Sequence, residues 1–381
     1  MTSDTPRPAD GGATPAERDA MRRALVLARE RGRPGPNPRV GCVLLAPDGT
    51  ELAAGAHAGA GTPHAEVVAL TAAADAGVDV RGATAVVTLE PCNHTGRTGP
   101  CAQALLAAGV ARVVVAQSDP TPAAAGGAAT LRAAGVDVVT GVLVDEVAPL
   151  NRAWTTAVTR GRPFVTWKFA ATLDGRSAAA DGTSRWISSP AARADTHRLR
   201  AEADVVLAGT GTVVDDDPRL TVRGADDQPL PVQPLRAVMG LRDVPAGAQV
   251  LDDTAPTTHL RTRDPHEALA LLAVREARHV FLEGGPTLAA AFLAAGLVDE
   301  VVVYVAPLLL GAGRSAVGDL GITTIADALH LEVLDAATVG TGADTNVRLV
   351  LRPVVAGADG TTGPTAAPPT PTPTPTRTEM I

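Results

Sequence analysis

The spacing of apolar and polar positions changes along this chain, and each change marks an element. Residues 16–31 place Met21, Leu25 and Ala28 on one side of a predicted helix. A run of turn residues, RPGPNPRVG, breaks that pattern. Apolar stretches at 40–46 and about 51–56 follow, with Asp48-Gly49 between them as a hairpin turn. Helical and extended patterns then alternate: helix 64–76, strand 83–89, helix 101–108, strand 112–116, helix 127–134 and strand 136–139. Such alternation predicts an α/β layer with mostly parallel strands.

The pattern shifts over 148–162, which reads as a linker between a first domain, 16–147, and a second, 163–354. The second block opens with a strand in PFVTWKFAATLDG. A helix at about 190–202 follows, with Ser189 as N-cap and Pro190 at its first position. Next come strand 204–208, a loop over 209–223, a strand near 236–239, helix 266–277 and strand 279–282. A Gly-rich turn at 283–287 leads into a helix ending at Ala295, and strands 299–306 and 345–352 close the domain. Residues 1–15 are polar and rich in Pro and Gly, and are expected to be disordered. Residues 355–381 alternate Thr and Pro, a composition that favours polyproline II and cannot bury a core.

Composition narrows the function classes. The chain has 381 residues, 45% of them hydrophobic, enough for two ordinary cores. A net charge of −8 argues against a nucleic-acid partner, which would want a basic face. No apolar run approaches ~18 residues, so no membrane span is expected. The N-terminus lacks the apolar core of a secretory signal. Three Cys suit a reducing cytoplasm rather than a disulfide scaffold.

The chemistry gathers at His64-Ala65-Glu66, answered by Pro91-Cys92 and Cys101. One imidazole and two thiolates are three ligands for a tetrahedral Zn²⁺, leaving the fourth position to water. Zinc lowers the pKa of that water towards ~7. A His-x-Glu followed by Pro-Cys and a second Cys is the signature of zinc-dependent base deaminases, with the Glu as proton shuttle and not as ligand. Side chains tilt towards a helix N-terminus, so a metal off the start of helix 64–76 is within reach of both His64 and Glu66. Two other readings stand beside this one: buried thiols, and a structural zinc with His94 as fourth ligand. Cys42, within VGCVLLA, reads as a small buried hydrophobe.

The second block carries no G-x-G-x-x-G after a strand, so a Rossmann fingerprint is absent. Gly209-Thr210-Gly211 and Gly284-Gly285 lie at strand ends, where backbone amides cradle phosphates, although such glycines also make plain turns. Asp215-Asp216-Asp217 reads as a solvated loop and Asp174-Gly175 as a tight turn.

Together these residues resemble the bifunctional riboflavin-biosynthesis deaminase–reductases over roughly residues 18–352. In the first domain the resemblance rests on Pro36-Asn37-Pro38-x-Val40-Gly41, HAEVVAL and TLEPCNHTGRTGPC, whose eight-residue gap between Cys is the specific part. In the second it rests on KFAATLDGR, TSRWISS, GTGTVVDDDPRLTVR and EGGPTLAAAFLAAGLVDE. It implies a cytidine-deaminase-like three-layer α/β domain followed by a dihydrofolate-reductase-like α/β domain, with one zinc per chain and NADPH as cofactors. It implies that His64, Cys92 and Cys101 bind zinc and that Glu66 is the proton donor. Ala170, Trp186, Thr212, Asp216 and the stretch Gly285-Pro286-Thr287-Leu288-Ala289-Ala290-Ala291 would line NADPH. Ser184, Arg200, Leu220, Arg223 and Glu283 would hold the ribosylaminouracil phosphate. Where the family often has Asp after the strand near 236–239, this chain has Gly240 and Leu241, so no cofactor contact is carried there. The expected protein is a cytoplasmic homo-oligomer acting on small molecules, with no nucleic-acid or membrane partner. A nucleic-acid or nucleoside base deaminase is the competing enzyme reading, but it would need a basic, aromatic-bearing channel. A zinc-stabilised binding module is the competing non-enzyme reading.

Overall fold

The computed structural model describes residues 12–30, 35–94 and 99–354, with the Ala343 side chain left aside. Most of the expected disordered N-terminus, the Thr-Pro tail and the 95–98 part of the Cys loop lie outside those residues.

The first domain runs α1 (Pro15–Glu30), β1 (Gly41–Leu45), β2 (Glu51–Ala56), α2 (Ala65–Asp75), β3 (Thr84–Leu89), α3 (Cys101–Ala107), β4 (Arg112–Gln117), α4 (Gly127–Ala133), β5 (Asp137–Thr140) and α5 (Val144–Val147). Residues 12–15, expected to be disordered, are part of the fold. The Thr14 hydroxyl accepts from the Glu17 amide at 3.2 Å while Glu17 accepts from the Thr14 amide at 2.7 Å, a reciprocal cap for α1. The sheet order is β2-β1-β3-β4-β5. Strands β3, β4 and β5 are parallel, and β1 is antiparallel to both its neighbours. Alternate residues serve two cores. Val43, Leu45, Val86 and Val114 pack on α1, whereas Cys42, Leu44, Val87 and Val115 pack on α2, α3 and α4. The result is the expected three-layer domain. Helix α2 lies unusually close to its sheet: a Cβ added to Gly55 of β2 would sit 2.5 Å from the Ala69 amide nitrogen and 2.6 Å from the Ala65 carbonyl.

The expected linker is instead a helix, α6 (Arg152–Arg160), ended by Gly161 at φ 68°. Its sequence, RAWTTAVTR, is rich in β-branched residues and gives little local helix signal. Long-range pairs hold it: Arg152 with Glu300, and Arg160 and Arg162 both on Asp299.

The second domain comprises β6 (Phe164–Thr172), β7 (Arg176–Ala178), α7 (Pro190–Glu202), β8 (Val205–Gly209), α8 (Thr210–Asp216), β9 (Leu235–Met239), β10 (Thr257–Leu260), α9 (Pro265–Ala273), β11 (His279–Leu282), α10 (Pro286–Ala294), β12 (Glu300–Ala306), β13 (Arg314–Ser315), β14 (Leu331–Val339) and β15 (Asn346–Pro353). Its main sheet is ordered β10-β9-β8-β11-β6-β12-β15-β14. Strands β10 to β12 in that order are parallel, and β15 and β14 are antiparallel additions at one edge. Ser189 caps α7 as expected, its hydroxyl accepting from the Ala192 amide at 3.2 Å. The segment 209–223, expected to be a loop, begins with the two-turn helix α8. Strands β7, β10, β13 and β14 had no counterpart in the sequence pattern. Asp174 does turn the chain after β6. The Thr172 hydroxyl and the Leu310 and Gly311 amides donate to its carboxylate and hold it down at about 2. Among the described residues no helix is long and apolar enough to cross a membrane.

Candidate functional site

Three helix and strand ends converge in the first domain. His64 is the N-cap of α2, Cys92 follows β3, and Cys101 opens α3. Their ligand atoms all lie within 4.8 Å of one another, and among the described residues this is the one such metal-ligating group. His64 Nδ1 stands 3.5 Å from Cys92 Sγ and 3.3 Å from Cys101 Sγ. A tetrahedral zinc with Zn–S about 2.3 Å and Zn–N about 2.0 Å would put such atoms about 3.5 Å apart. The residues therefore fit the metal. His94 stays outside the group, which removes the four-ligand structural alternative. The hydrogen bond from Cys101, aided by His64, holds the Cys92 thiol down at about 4. The same bond, together with burial, pushes Cys101 well up. The Cys101 amide also donates to Cys92 Sγ at 3.4 Å. Cys42 is fully buried in β1, and burial raises its thiol, as befits an inert core residue.

Glu66 sits in the first turn of α2, 3% exposed. Burial pushes its carboxyl up to about 6; a bound zinc would draw it back down. A carboxyl so placed, beside the ligands and not among them, suits proton transfer. Its cavity, of about 430 Å³, is walled by Pro36, Asn37, His57, Glu90, His94 and Asp119 from the first domain. Trp154 and Val158 of α6, and Glu276 and Arg278 just before β11, complete it from across the junction. Sequence reasoning gave His57 no role. Its Nδ1 donates to the Pro63 carbonyl at 3.1 Å, so Nε2 is free to accept from the Asn37 amide at 2.9 Å. Burial lowers the pKa of this imidazole, and its ring meets His64 edge-on at 5.3 Å. Glu90 was also missed. It accepts from the amides of Asp119, Gly126 and Ala128, and so ties the Cys loop to α4.

In the second domain the carboxyl ends of β9, β8 and β11 lie side by side, and each ends in glycine: Gly240, Gly209-Thr210-Gly211 and Gly284-Gly285. A Cβ on Gly285 would lie 3.8 Å from Thr212 Oγ1, and one on Gly209 would lie 3.6 Å from Leu288. The structure thus brings Thr212 and the start of α10 together across bare backbone, a cradle suited to a pyrophosphate. Asp216 joins them through its carbonyl, which accepts from Arg185 at 2.8 Å and so tethers the Trp186 loop to α8. Trp186 is 66% exposed, with the Arg193 guanidinium 4.3 Å over its ring. Ala170 lies on β6. Two of the residues expected to line the ligands have buried side chains. The Ala289 side chain faces the core beside Phe292, and Leu220 is buried with Val206 and Val213. Leu220 also has a left-handed backbone, at φ 54°, and both residues would meet a ligand through their backbones.

A cationic cluster lies beside this cradle. Arg200 of α7 pairs with Glu283 through both nitrogens of its fork and donates to the Thr221 carbonyl at 2.8 Å. Arg223 pairs with Asp227 at 2.8 Å, and its amide donates to His197 Nδ1 at 3.2 Å. Ser184 lies in a turn closed by the Ile187 amide. Lys168, the first residue of KFAATLDGR, and His197 belong to the cluster although neither had an expected role. Burial lowers the Lys168 ammonium. Burial and the charges of Arg200 and Arg223 take His197 down to about 4.

Comparison with known proteins accounts for both halves. Residues 15–117 match the cytidine and deoxycytidylate deaminase zinc-binding region, and residues 163–344 match the RibD C-terminal domain. The riboflavin biosynthesis protein RibD of Mycobacterium tuberculosis is 51% identical over 312 residues, covering 81% of this chain and 90% of that protein. That of Escherichia coli is 41% identical, over 84% and 96%. The structure of Acinetobacter baumannii RibD superposes with a TM-score of 0.80 at 38% identity, over 89% of this chain and 99% of that one. A Thermotoga maritima structure, described as a diaminohydroxyphosphoribosylaminopyrimidine deaminase/5-amino-6-(5-phosphoribosylamino)uracil reductase, gives 0.80 at 31% identity over the same shares. Fold and sites thus define a zinc-dependent deaminase joined to an NADPH-dependent, dihydrofolate-reductase-like reductase. The chain belongs to the RibD family of riboflavin-biosynthesis enzymes.

Two outcomes follow from this geometry. Cys92→Ser should lose most of the zinc by metal analysis; full stoichiometric metal in that variant would remove Cys92 from the ligand set. Folding also lowers the His197 pKa from 6.5 to about 4, so between those values the unfolded chain binds the extra proton. Stability should therefore fall as pH drops through that window and level off below it. His197→Gln should flatten that slope in denaturant titrations, and an unchanged slope would show that other groups set it.

Proposed function

We propose that the first domain deaminates 2,5-diamino-6-ribosylamino-4(3H)-pyrimidinone 5′-phosphate. The second would then reduce the ribosyl group of 5-amino-6-ribosylaminouracil 5′-phosphate to ribityl. The observation that carries this reading is the joining, in one chain, of the His64–Cys92–Cys101 triad beside buried Glu66 with a glycine cradle flanked by Arg200, Arg223 and Lys168. The description of the Thermotoga maritima relative names the same pair of reactions.

In the deaminase, His64, Cys92 and Cys101 would hold zinc, which supplies a Lewis acid that makes water nucleophilic near neutral pH. Glu66 takes the proton from the attacking water and delivers it to the departing amino nitrogen, so that ammonia leaves. His57 has both ring nitrogens engaged, one with the Asn37 amide and one with the Pro63 carbonyl, and so braces the cavity wall without taking part in that transfer. In the reductase, NADPH supplies a hydride. The bare backbone at Gly209–Gly211 and Gly284–Gly285 would receive its pyrophosphate. Arg200 and Arg223 suit the substrate phosphate, because guanidinium matches its oxygens in pairs. Glu283 keeps the Arg200 fork in place through two bonds.

The free thiols of the triad favour a reducing cytoplasm. The net charge of −8 favours small substrates over nucleic acid. A homo-oligomer is favoured by β14, an edge strand that exposes Leu331, Leu334 and, at 60%, Val333. Val333→Asp should shift the protein to a smaller species by light scattering, and an unchanged mass would remove β14 from the interface.

The decisive variant is Glu66→Gln, which keeps size and polarity but cannot carry a proton. Deamination should fall by ~100-fold or more. Zinc should remain, and NADPH should still be consumed with the already deaminated substrate. Near wild-type deamination would take Glu66 out of the mechanism.

A further inference from the structure

We infer that Arg242 reads the 2′-phosphate of NADPH and so sets the preference of the second domain for NADPH over NADH. The inference rests on the reductase reading above.

Strand order fixes which end of the cofactor lies where. The substrate cluster of Lys168, Arg200 and Glu283 is built on β6, α7 and the end of β11. The nicotinamide must meet the substrate there to pass it a hydride. The glycine cradle after β8 and β11 receives the pyrophosphate. The next strand outward is β9, so the adenosine half lies over the end of β9, away from the substrate. In Rossmann sheets the strand beside the glycine turn carries an acid where the ribose hydroxyl is bound, or an Arg where a 2′-phosphate is accepted, and β9 stands in the corresponding place here.

The chain offers an Arg there and engages the neighbouring acids. Gly209 of β8 is paired with Met239 of β9, so Gly209-Thr210-Gly211 and Gly240-Leu241-Arg242 leave the sheet together. They run in close contact: a Cβ on Gly240 would lie 2.5 Å from Thr210 Oγ1. A Cβ on Gly211 would lie 3.3 Å from Arg242 Nη2. The guanidinium therefore lies across the bare backbone of the cradle. Arg242 is exposed, and no hydrogen bond or ion pair engages its side chain among the described residues. Asp243, next to it, is taken by Arg261. Asp217, at the end of α8, accepts from the Gln249 amide at 2.8 Å. An unpaired guanidinium at the edge of a phosphate cradle can engage a phosphate dianion through two parallel bonds without first breaking another pair.

The test is binding to the full-length protein, followed by protein fluorescence, with NADPH, NADH, 2′,5′-ADP and 5′-ADP as probes. The wild-type protein should bind NADPH over NADH and 2′,5′-ADP over 5′-ADP. Arg242→Ala should weaken NADPH and 2′,5′-ADP by ~10-fold or more, as expected for loss of a charged hydrogen bond. It should leave NADH and 5′-ADP unchanged, which also shows that the variant is folded. Arg242→Lys should recover part of the discrimination. If wild type discriminates and Arg242→Ala discriminates equally well, Arg242 is not the reader and the cofactor site stands. If wild type binds neither dinucleotide, or both alike, the cofactor reading fails and Arg242 fails with it.

Discussion

The deaminase site depends on two places where backbone lies directly on backbone. At Gly55 the first turn of α2 rests on β2 with no room for a Cβ. At Gly127 the first turn of α4 rests on the Pro91 carbonyl, 1.8 Å from where a Cβ would be. These contacts set the depth of His64 and the path of the Cys loop. Overpacking of this kind costs roughly 1–3 kcal/mol when the surroundings give way. Here the surroundings are the ligand-bearing segments themselves, so any relief would come from spreading the triad. Glu90 reinforces the arrangement through three amides from the 119–128 segment.

The second domain solves a different problem, that of keeping several cations together in a partly buried place. Glu283 balances Arg200 through a forked pair, Asp227 balances Arg223 at the rim, and His197 stays neutral. Burial lowers the pKa of the Lys168 ammonium, with Glu283 acting against it. Self-repulsion is thus limited in the free protein, and the cluster keeps enough positive charge to favour a dianionic ligand.

Much of this was legible in the sequence, for reasons that differ by residue. The triad could be read because Cys is scarce and the spacing is unusual. The α7 start could be read because Ser189 and Pro190 act locally. Helix α6 could not, because its β-branched sequence is held by Glu300 and Asp299, well over a hundred residues away. Strand β14 could not, because its alternation is blurred by apolar residues on an exposed edge. His57, Lys168 and His197 take their importance from neighbours distant in sequence, which no spacing rule reaches. Ala289 and Leu220 show the reverse limit: a motif marks a position without saying whether side chain or backbone faces the ligand.

The junction also bears on how such a gene can change. Glu276 and Arg278 belong to the reductase by sequence and to the deaminase cavity by position, and the Arg278 guanidinium reaches the Pro36 carbonyl at 3.5 Å. A break in the reading frame between α6 and residue 276 would free a deaminase lacking one wall of its own pocket. Fusion in this chain is therefore more than tethering. The two coding halves share a surface, so drift at 276–278 is constrained by both activities at once, and a recombination that swapped either half would have to bring a matching wall with it.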